Sequence, residues 1–154
     1  MIHDSVQDLK SHLQPGLRLL GLDVGAKTIG MAISDGGLAV AAAIDTIRRS
    51  KFTKDAEVLK EIIGGRNVGG IVIGLPVSMD GSEGPACQSV RQFGANLDAK
   101  LDLHIAFWDE RLSTSAVERF LISEAHMSRK RRSEVIDKMA ATYILQGALD
   151  VLRD

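Results

Sequence analysis

The chain has 154 residues and a formal net charge of −1 at pH 7, which favours one domain with room for a buried core. Apolar residues make up 45% and charged residues 25%, the balance of an ordinary globular protein, and the near-zero charge excludes a strongly basic nucleic-acid coat protein. With one cysteine, Cys87, the chain cannot form an internal disulfide. No base stands near Cys87 in the sequence, so we interpret it as an apolar filler of a helix rather than as a nucleophile.

The first stretch, residues 1–16, is predicted to be a helical extension of the main domain. Val6 and Leu9 recur at helical spacing, and a Pro-Gly pair ends the segment. We expect this helix to pack loosely on the domain, with His3 and His12 facing solvent.

Nothing in the sequence indicates export or a membrane anchor. The N-terminal residues MIHDSVQDLK lack the basic-then-apolar order of a signal peptide. The longest apolar run, residues 38–44, is too short to span a bilayer. We therefore expect a cytoplasmic protein that does not contact membranes.

The main domain, residues 17–154, opens with a predicted antiparallel meander. Residues 17–34 give two apolar strands joined by a glycine-containing hairpin at 25–27, and residues 38–47 give a third strand. Asp23 stands where the apolar pattern of the first strand stops.

Helices and strands alternate in the rest of the chain, which predicts parallel crossovers. The predicted elements are a helix capped by Thr53 and stopped at 64–65, a strand at 68–73, a loop at 74–85, a helix from Pro85 to about 100, a strand at 101–108, a helix capped by Ser113, a basic loop at 128–132 and a final helix capped by Ser133. The fold class is therefore α/β, with a mixed five-stranded sheet flanked by helices.

Acidic side chains stand at strand ends and on the last helix. Asp23 ends the first strand and the Asp109-Glu110 pair ends the last, so parallel strands would bring them to one edge of the sheet. Asp137 shares a helix face with the apolar stripe that continues through Ala141, and an inward carboxylate needs a cation. Strand alternation does not choose between Asp109 and Glu110.

Three clustered carboxylates predict a site for hard divalent cations, Mg²⁺ or Mn²⁺, and most simply for two ions. Two such ions, about 4 Å apart, can hydrolyse a phosphodiester without a protein nucleophile, and nucleic acid is then the natural substrate. A zinc site is not expected, because His104 and His126 are isolated in the sequence and are interpreted as core-edge and loop residues.

Basic residues beside the candidate acids are the expected contacts to nucleic-acid phosphates. These residues are Lys27, Arg111, Arg129, Lys130, Arg131 and Arg132. The last four immediately precede the helix that carries Asp137, although such a charge run is also typical of a solvated loop.

Four segments in order resemble the YqgF/RuvX family, whose members are described as pre-16S rRNA nucleases or Holliday junction resolvase homologues. The segments are GLDVGAKTIGMAISD, IVIGLPVSMDGSEGP, WDERLSTSAVERFL and SEVIDKMAATYILQGALD. The resemblance implies an RNase H-like fold, with three antiparallel strands followed by parallel ones. It implies catalytic, metal-binding acids at Asp23, Glu110 and Asp137, and an active site bordered by the loop at 74–85.

The leading hypothesis is thus a metal-dependent nuclease that processes the 5′ end of pre-16S rRNA, with ribosomal precursor particles as partners. The alternatives are a resolvase acting on branched DNA and an RNA- or ribosome-binding protein that does not cleave. A third alternative is an ATP-binding protein, since DVGAKTIG resembles the first phosphate loop of actin-like ATPases. Those ATPases need a second lobe, for which 154 residues leave no room. The chain is expected to be a monomer or a homodimer.

Overall fold

The computed structural model describes the backbone of residues 1–112 and 129–153 and the side chains of residues 1–111 and 139–153. Within these residues the strands are β1 (Ile2–His3), β2 (Arg18–Val24), β3 (Thr28–Ser34), β4 (Ala41–Arg48), β5 (Val68–Leu75) and β6 (His104–Asp109). The helices are α1 (Val6–Ser11), α2 (Phe52–Gly65), α3 (Pro85–Lys100) and α4 (Arg129–Leu152), with a 3₁₀ turn at Glu110–Leu112.

The strands form one mixed sheet in the order β1-β6-β5-β2-β3-β4. Strands β2, β3 and β4 are antiparallel neighbours, whereas β1, β6, β5 and β2 run parallel. This confirms the predicted meander followed by parallel strands. Because β2, β5 and β6 are parallel, their carboxyl ends lie at one edge of the sheet.

The sheet has one strand more than the five expected. Strand β1 pairs in parallel with β6 through Ile2 opposite Ile105 and His3 opposite Ala106. A two-residue strand carries no alternation that a sequence pattern could reveal, so only its tertiary pairing identifies it.

Helices cover both faces of the sheet and give two apolar layers. Helices α2 and α3 pack on one face, where Cys87 is a fully buried filler as predicted. Helices α1 and α4 cover the other face with the apolar stripe Ala141, Ile144, Leu145, Ala148 and Leu149. No helix in the described part of the chain is long and apolar enough to cross a membrane.

Two predicted helix starts were wrong. Helix α2 begins at Phe52 with Lys51 as its N-cap, so Thr53 lies inside the helix. Helix α4 begins at Arg129, so the basic residues 129–132 form its first turn rather than a loop, and Ser133 is internal. Arginine and lysine are good helix formers and no Gly or Pro interrupts the run, so the helix extends past the serine that the pattern marked as a cap. The helix predicted to start at Ser113 lies outside the described residues.

The N-terminal segment packs more tightly than expected. Val6 and Leu9 of α1 are 3% and 0% exposed and belong to the core under α4. His3 is buried, which corrects its predicted solvent-facing position, while His12 is exposed as predicted. His104 is not isolated: its ring lies 5.0 Å from that of His3 and 5.3 Å from that of His12.

Candidate active site

Asp23 and Glu110 come together at the carboxyl edge of the sheet. Asp23 is the penultimate residue of β2, and Glu110 follows directly after β6, with β5 lying between these two strands. Gly21, two residues before Asp23, lies against Leu145 of α4, so strand alternation puts Asp23 on the face that α4 covers. Glu110 lies on the same side, because a Cβ atom at Gly74 would meet both Glu110 and Ile144 of α4.

Gly74 creates the space in which the two acids meet. A Cβ atom at position 74 would lie 2.6 Å from Oε1 of Glu110, 2.9 Å from its Cγ and 2.5 Å from Cδ1 of Ile144. These distances are below any that real Cβ atoms tolerate, so a side chain at this position would displace Glu110. The family resemblance implied that the loop at 74–85 borders the site, but no sequence pattern marked Gly74 as the residue that makes room for Glu110.

The environment of Glu110 favours its protonated form. Burial is the largest cause, and the charge of Asp23, a hydrogen bond with Asp23 and the charge of Asp109 act in the same direction, so the pKa of Glu110 rises to about 7. Near neutral pH a protonated Glu110 carboxyl can therefore donate a hydrogen bond to the Asp23 carboxylate. Two adjacent carboxyl groups offer only oxygen atoms as metal ligands. Such ligands fit a hard divalent cation such as Mg²⁺ or Mn²⁺.

The neighbouring acid, Asp109, is turned to a different partner. The Arg111 side chain donates to it from Nε at 2.9 Å and from a terminal nitrogen at 2.6 Å, and the Arg111 backbone N–H donates at 3.0 Å. These bonds hold the pKa of Asp109 below its usual value. The structure therefore brings Glu110, rather than Asp109, to Asp23, and resolves the choice that the strand pattern left open.

For the other predicted site residues outside this pair, the structure describes the side chain of Lys27 but only the backbone position of Asp137 and of residues 129–132. Lys27 is exposed in the turn between β2 and β3, next to the Asp23 end of the hairpin. Asp137 lies in α4 one helical turn before the buried Ala141, and the basic run 129–132 is the first turn of that helix. The side chains of Asp137 and of residues 129–132 lie outside those described. Among the side chains that are described, no group of three or more His, Cys, Asp or Glu is arranged to hold a metal ion.

The chain matches a family model along most of its length. Residues 17–151 fit the RuvX model, whose description is Holliday junction resolvase. A protein of Paramagnetospirillum magneticum named "Putative pre-16S rRNA nuclease" is 62% identical over 143 residues, which cover 93% of this chain and 92% of the relative. A relative of the same name from Ruegeria sp. (strain TM1040) is 60% identical over 153 residues, covering 99% of this chain and 97% of the relative.

A solved structure supports the fold. Thermus thermophilus RuvC, determined in complex with a Holliday junction substrate, superimposes with a TM-score of 0.53 at 10% identity, covering 88% of this chain and 94% of RuvC. At that identity the likeness concerns the fold alone, which is RNase H-like as the sequence resemblance implied.

Proposed function

The chain belongs to the RuvX family, and from this premise we propose that it is a nuclease that hydrolyses phosphodiester bonds in the processing of pre-16S rRNA. The observation that carries the proposal is the Asp23–Glu110 pair, which two separate strands bring together beside Gly74. The raised pKa of Glu110 in this pair is the property expected of two carboxylates that are arranged around a cation.

The residues of the chain would prepare the site in three ways. Asp23, on the end of a central strand, holds one carboxylate in place. Glu110 keeps a proton near neutral pH, and as a carboxylate it would hold a divalent cation together with Asp23. Asp137, one turn before the buried stripe of α4, supplies the third carboxylate. Two Mg²⁺ or Mn²⁺ ions held by these three acids would supply an activated water and stabilise the leaving oxygen of the phosphodiester.

The basic residues would hold the substrate backbone. Lys27 is exposed beside the Asp23 hairpin, and the four basic residues at 129–132 begin the helix that carries Asp137. Their positive charge offsets the acidic centre and would attract phosphates from either side of the scissile bond. The guanidinium group of Arg111 is bound to Asp109, so Arg111 is not counted among these phosphate contacts.

RNA is favoured as the substrate because the relatives at 55–62% identity carry the pre-16S rRNA nuclease name. A Holliday junction is the second candidate, since the matching family model is described as a resolvase and the fold is that of RuvC. Ribosomal precursor particles are the proposed partners, and the cytoplasm, where such particles assemble, is the proposed location. A resolvase would act as a homodimer, whereas rRNA trimming is compatible with a monomer.

The test is cleavage of a pre-16S rRNA 5′ leader and of a four-way DNA junction in Mg²⁺ or Mn²⁺ by the parent and by Asp23→Asn. We expect the parent to cleave the RNA and the variant to lose at least about 100-fold in rate while keeping its circular dichroism spectrum. Equal cleavage by the two proteins would end the nuclease proposal. Salt-sensitive RNA binding that survives loss of Asp23, Glu110 and Asp137, without cleavage by the parent, would support a binding protein instead. Tight Mg-ATP binding measured by calorimetry would favour the ATPase alternative.

A further inference from the structure

The segment between β5 and α3, residues 76–84, begins two residues after Gly74 and is hydrogen-bonded internally; we call it the β5–α3 loop. The N–H of Ser78 donates to the carbonyl of Ser82 at 3.0 Å, and the N–H of Gly81 donates to the carbonyl of Ser78 at 2.8 Å. Asp80 accepts from the backbone N–H and the hydroxyl of Ser82 at 2.9 and 2.6 Å. The loop therefore has a definite shape, although it lies on the surface.

Arg111 joins this loop to the strand that ends beside Glu110. One terminal nitrogen of its guanidinium lies 3.4 Å from the carbonyl oxygens of Ser78 and Met79. The remaining nitrogens of the same group bind the carboxylate of Asp109, the last residue of β6. A single planar group thus spans the tip of the loop and the end of β6, one residue from Glu110.

The pairing of Arg111 argues against a direct phosphate contact. The guanidinium group of Arg111 already makes a bidentate pair with the carboxylate of Asp109. A phosphate would have to compete with Asp109 for the same N–H donors. Arg111 and Arg91 both line a cavity of about 460 Å³, and Arg91 is likewise bound to Glu83, at 2.5 and 2.8 Å. Both arginines of this cavity therefore act on the protein itself, and both bind residues at or beside the β5–α3 loop.

We propose that Arg111 is a positioning residue for phosphodiester cleavage: it clamps the β5–α3 loop, which begins two residues after Gly74, to the end of β6, one residue before Glu110. The inference rests on the proposed function. Met79, whose carbonyl faces Arg111, is 88% exposed at the tip of the clamped segment. The role needs the planar fork of arginine, because lysine carries one compact charge and cannot bind Asp109 and two carbonyls together.

The experiment compares Arg111→Lys and Arg111→Ala with the parent and with Arg153→Ala. Arg153 forms a similar exposed pair with Asp150 at the far end of α4, so it is the matched control. The measurements are kcat and KM for RNA cleavage, the salt dependence of RNA binding, and backbone hydrogen exchange across residues 76–84. Exchange does not depend on activity, so it tests the clamp even if the protein proves not to be a nuclease.

We expect both Arg111 variants to exchange faster in the β5–α3 loop and to lose about 10- to 100-fold in kcat/KM, with the salt slope unchanged. The control should match the parent in all three measurements. If Arg111→Lys keeps full activity while Arg111→Ala loses it and lowers the salt slope by about 1, Arg111 contacts phosphate and the clamp is refuted. Unchanged exchange in both variants also refutes it. If Arg111→Ala fails to fold, Asp109→Asn weakens the same Arg111–Asp109 pair. Faster hydrogen exchange in the β5–α3 loop is then expected in that variant.

Discussion

The carboxylate of Glu110 lies over Gly74, in space that the side chain of any other residue at position 74 would fill. The distance from the Cβ position at Gly74 to Oε1 of Glu110 is 2.6 Å. Since β5 runs between β2 and β6, a side chain on β5 at this point would separate Asp23 from Glu110. The acid pair therefore depends on a glycine that makes no chemical contribution of its own.

Gly74→Ala should lower the activity about 100-fold without removing any acid. The added methyl group displaces Glu110 from Asp23, and a displacement of about 1 Å at a catalytic group can cost roughly 100-fold in rate. The measurement is kcat/KM for RNA cleavage. Gly64→Ala is the control, because a Cβ atom there meets nothing within 4 Å. A Gly74→Ala variant that cleaves at the parental rate would show that the Glu110 position is not critical.

Gly21→Ala should destabilise the protein by separating α4 from the sheet. A Cβ atom at Gly21 would lie 2.7 Å from Cβ of Leu145 and 3.2 Å from the carbonyl oxygen of Ala141. The helix backbone must shift to admit it, which typically costs about 1–3 kcal/mol. Urea unfolding measures the loss, and because α4 carries Asp137, cleavage should fall as well. A variant with parental stability would mean that α4 packs less closely on β2 than the structure indicates.

Metal-free protein should lose stability between about pH 4.5 and pH 7 through Glu110. Its pKa is raised to about 7 in the folded state, so its contribution is fully present below the ordinary value of 4.5 and is lost as pH rises through the folded value. Since the carboxyl is partly solvated, the loss is about 1–2 kcal/mol.

Urea unfolding in EDTA at pH 5 and pH 8 measures this loss, and Glu110→Gln should remove it because the amide does not titrate. Asp109→Asn is the control, and it should keep most of the difference between pH 5 and pH 8. The pKa of the parental Asp109 carboxylate is lowered from 3.8, so its own contribution is lost only on acidification below that value, outside the measured range. An identical pH dependence in Glu110→Gln and the parent would contradict the assignment.

The N-terminal segment should undock as the pH falls, because His3 is held neutral. Burial is the main cause that lowers the pKa of His3, followed by the charges of His12 and His104. The N-terminal ammonium also lowers this pKa, and Asp8 raises it. The stability that depends on neutral His3 is present above its ordinary pKa of 6.5 and is lost as pH falls through the lowered value.

An NMR titration of the His3 ring should therefore give a midpoint below 6.5, and His104→Gln should raise that midpoint by removing one neighbouring charge. The His104 ring is close enough to matter, since its Nδ1 lies 2.9 Å from Nε2 of His3. A His3 midpoint at or above 6.5 would contradict this account of the cluster.

The helices and strands were predicted well where an element has a sequence feature of its own, such as an apolar run, a glycine turn or an N-terminal proline. The apolar run that stops at Asp23, the hairpin after it and the Pro85 start of α3 are all local features, and the structure has them. Placing Asp23 and the last strand's acids at one edge followed from the rule that parallel strands end together.

The features that the sequence did not reveal depend on contacts between distant segments. Strand alternation could not choose between Asp109 and Glu110, and only the family resemblance favoured Glu110; the physical reason is that Arg111 binds Asp109 while Glu110 faces Asp23. The space at Gly74 depends on β5 lying between β2 and β6. His3 meets His104 only because β1 pairs with β6 across about a hundred residues of chain, through a strand too short to have a pattern.

The most direct test of the central claim is anomalous diffraction from crystals soaked in Mn²⁺ at pH 8, above the raised pKa of Glu110. The account predicts anomalous peaks between Asp23 and Glu110, with Asp137 completing the coordination by carboxylate oxygens. Crystals that diffract well yet have no peak at this position, or whose ions are bound by other residues, would contradict it.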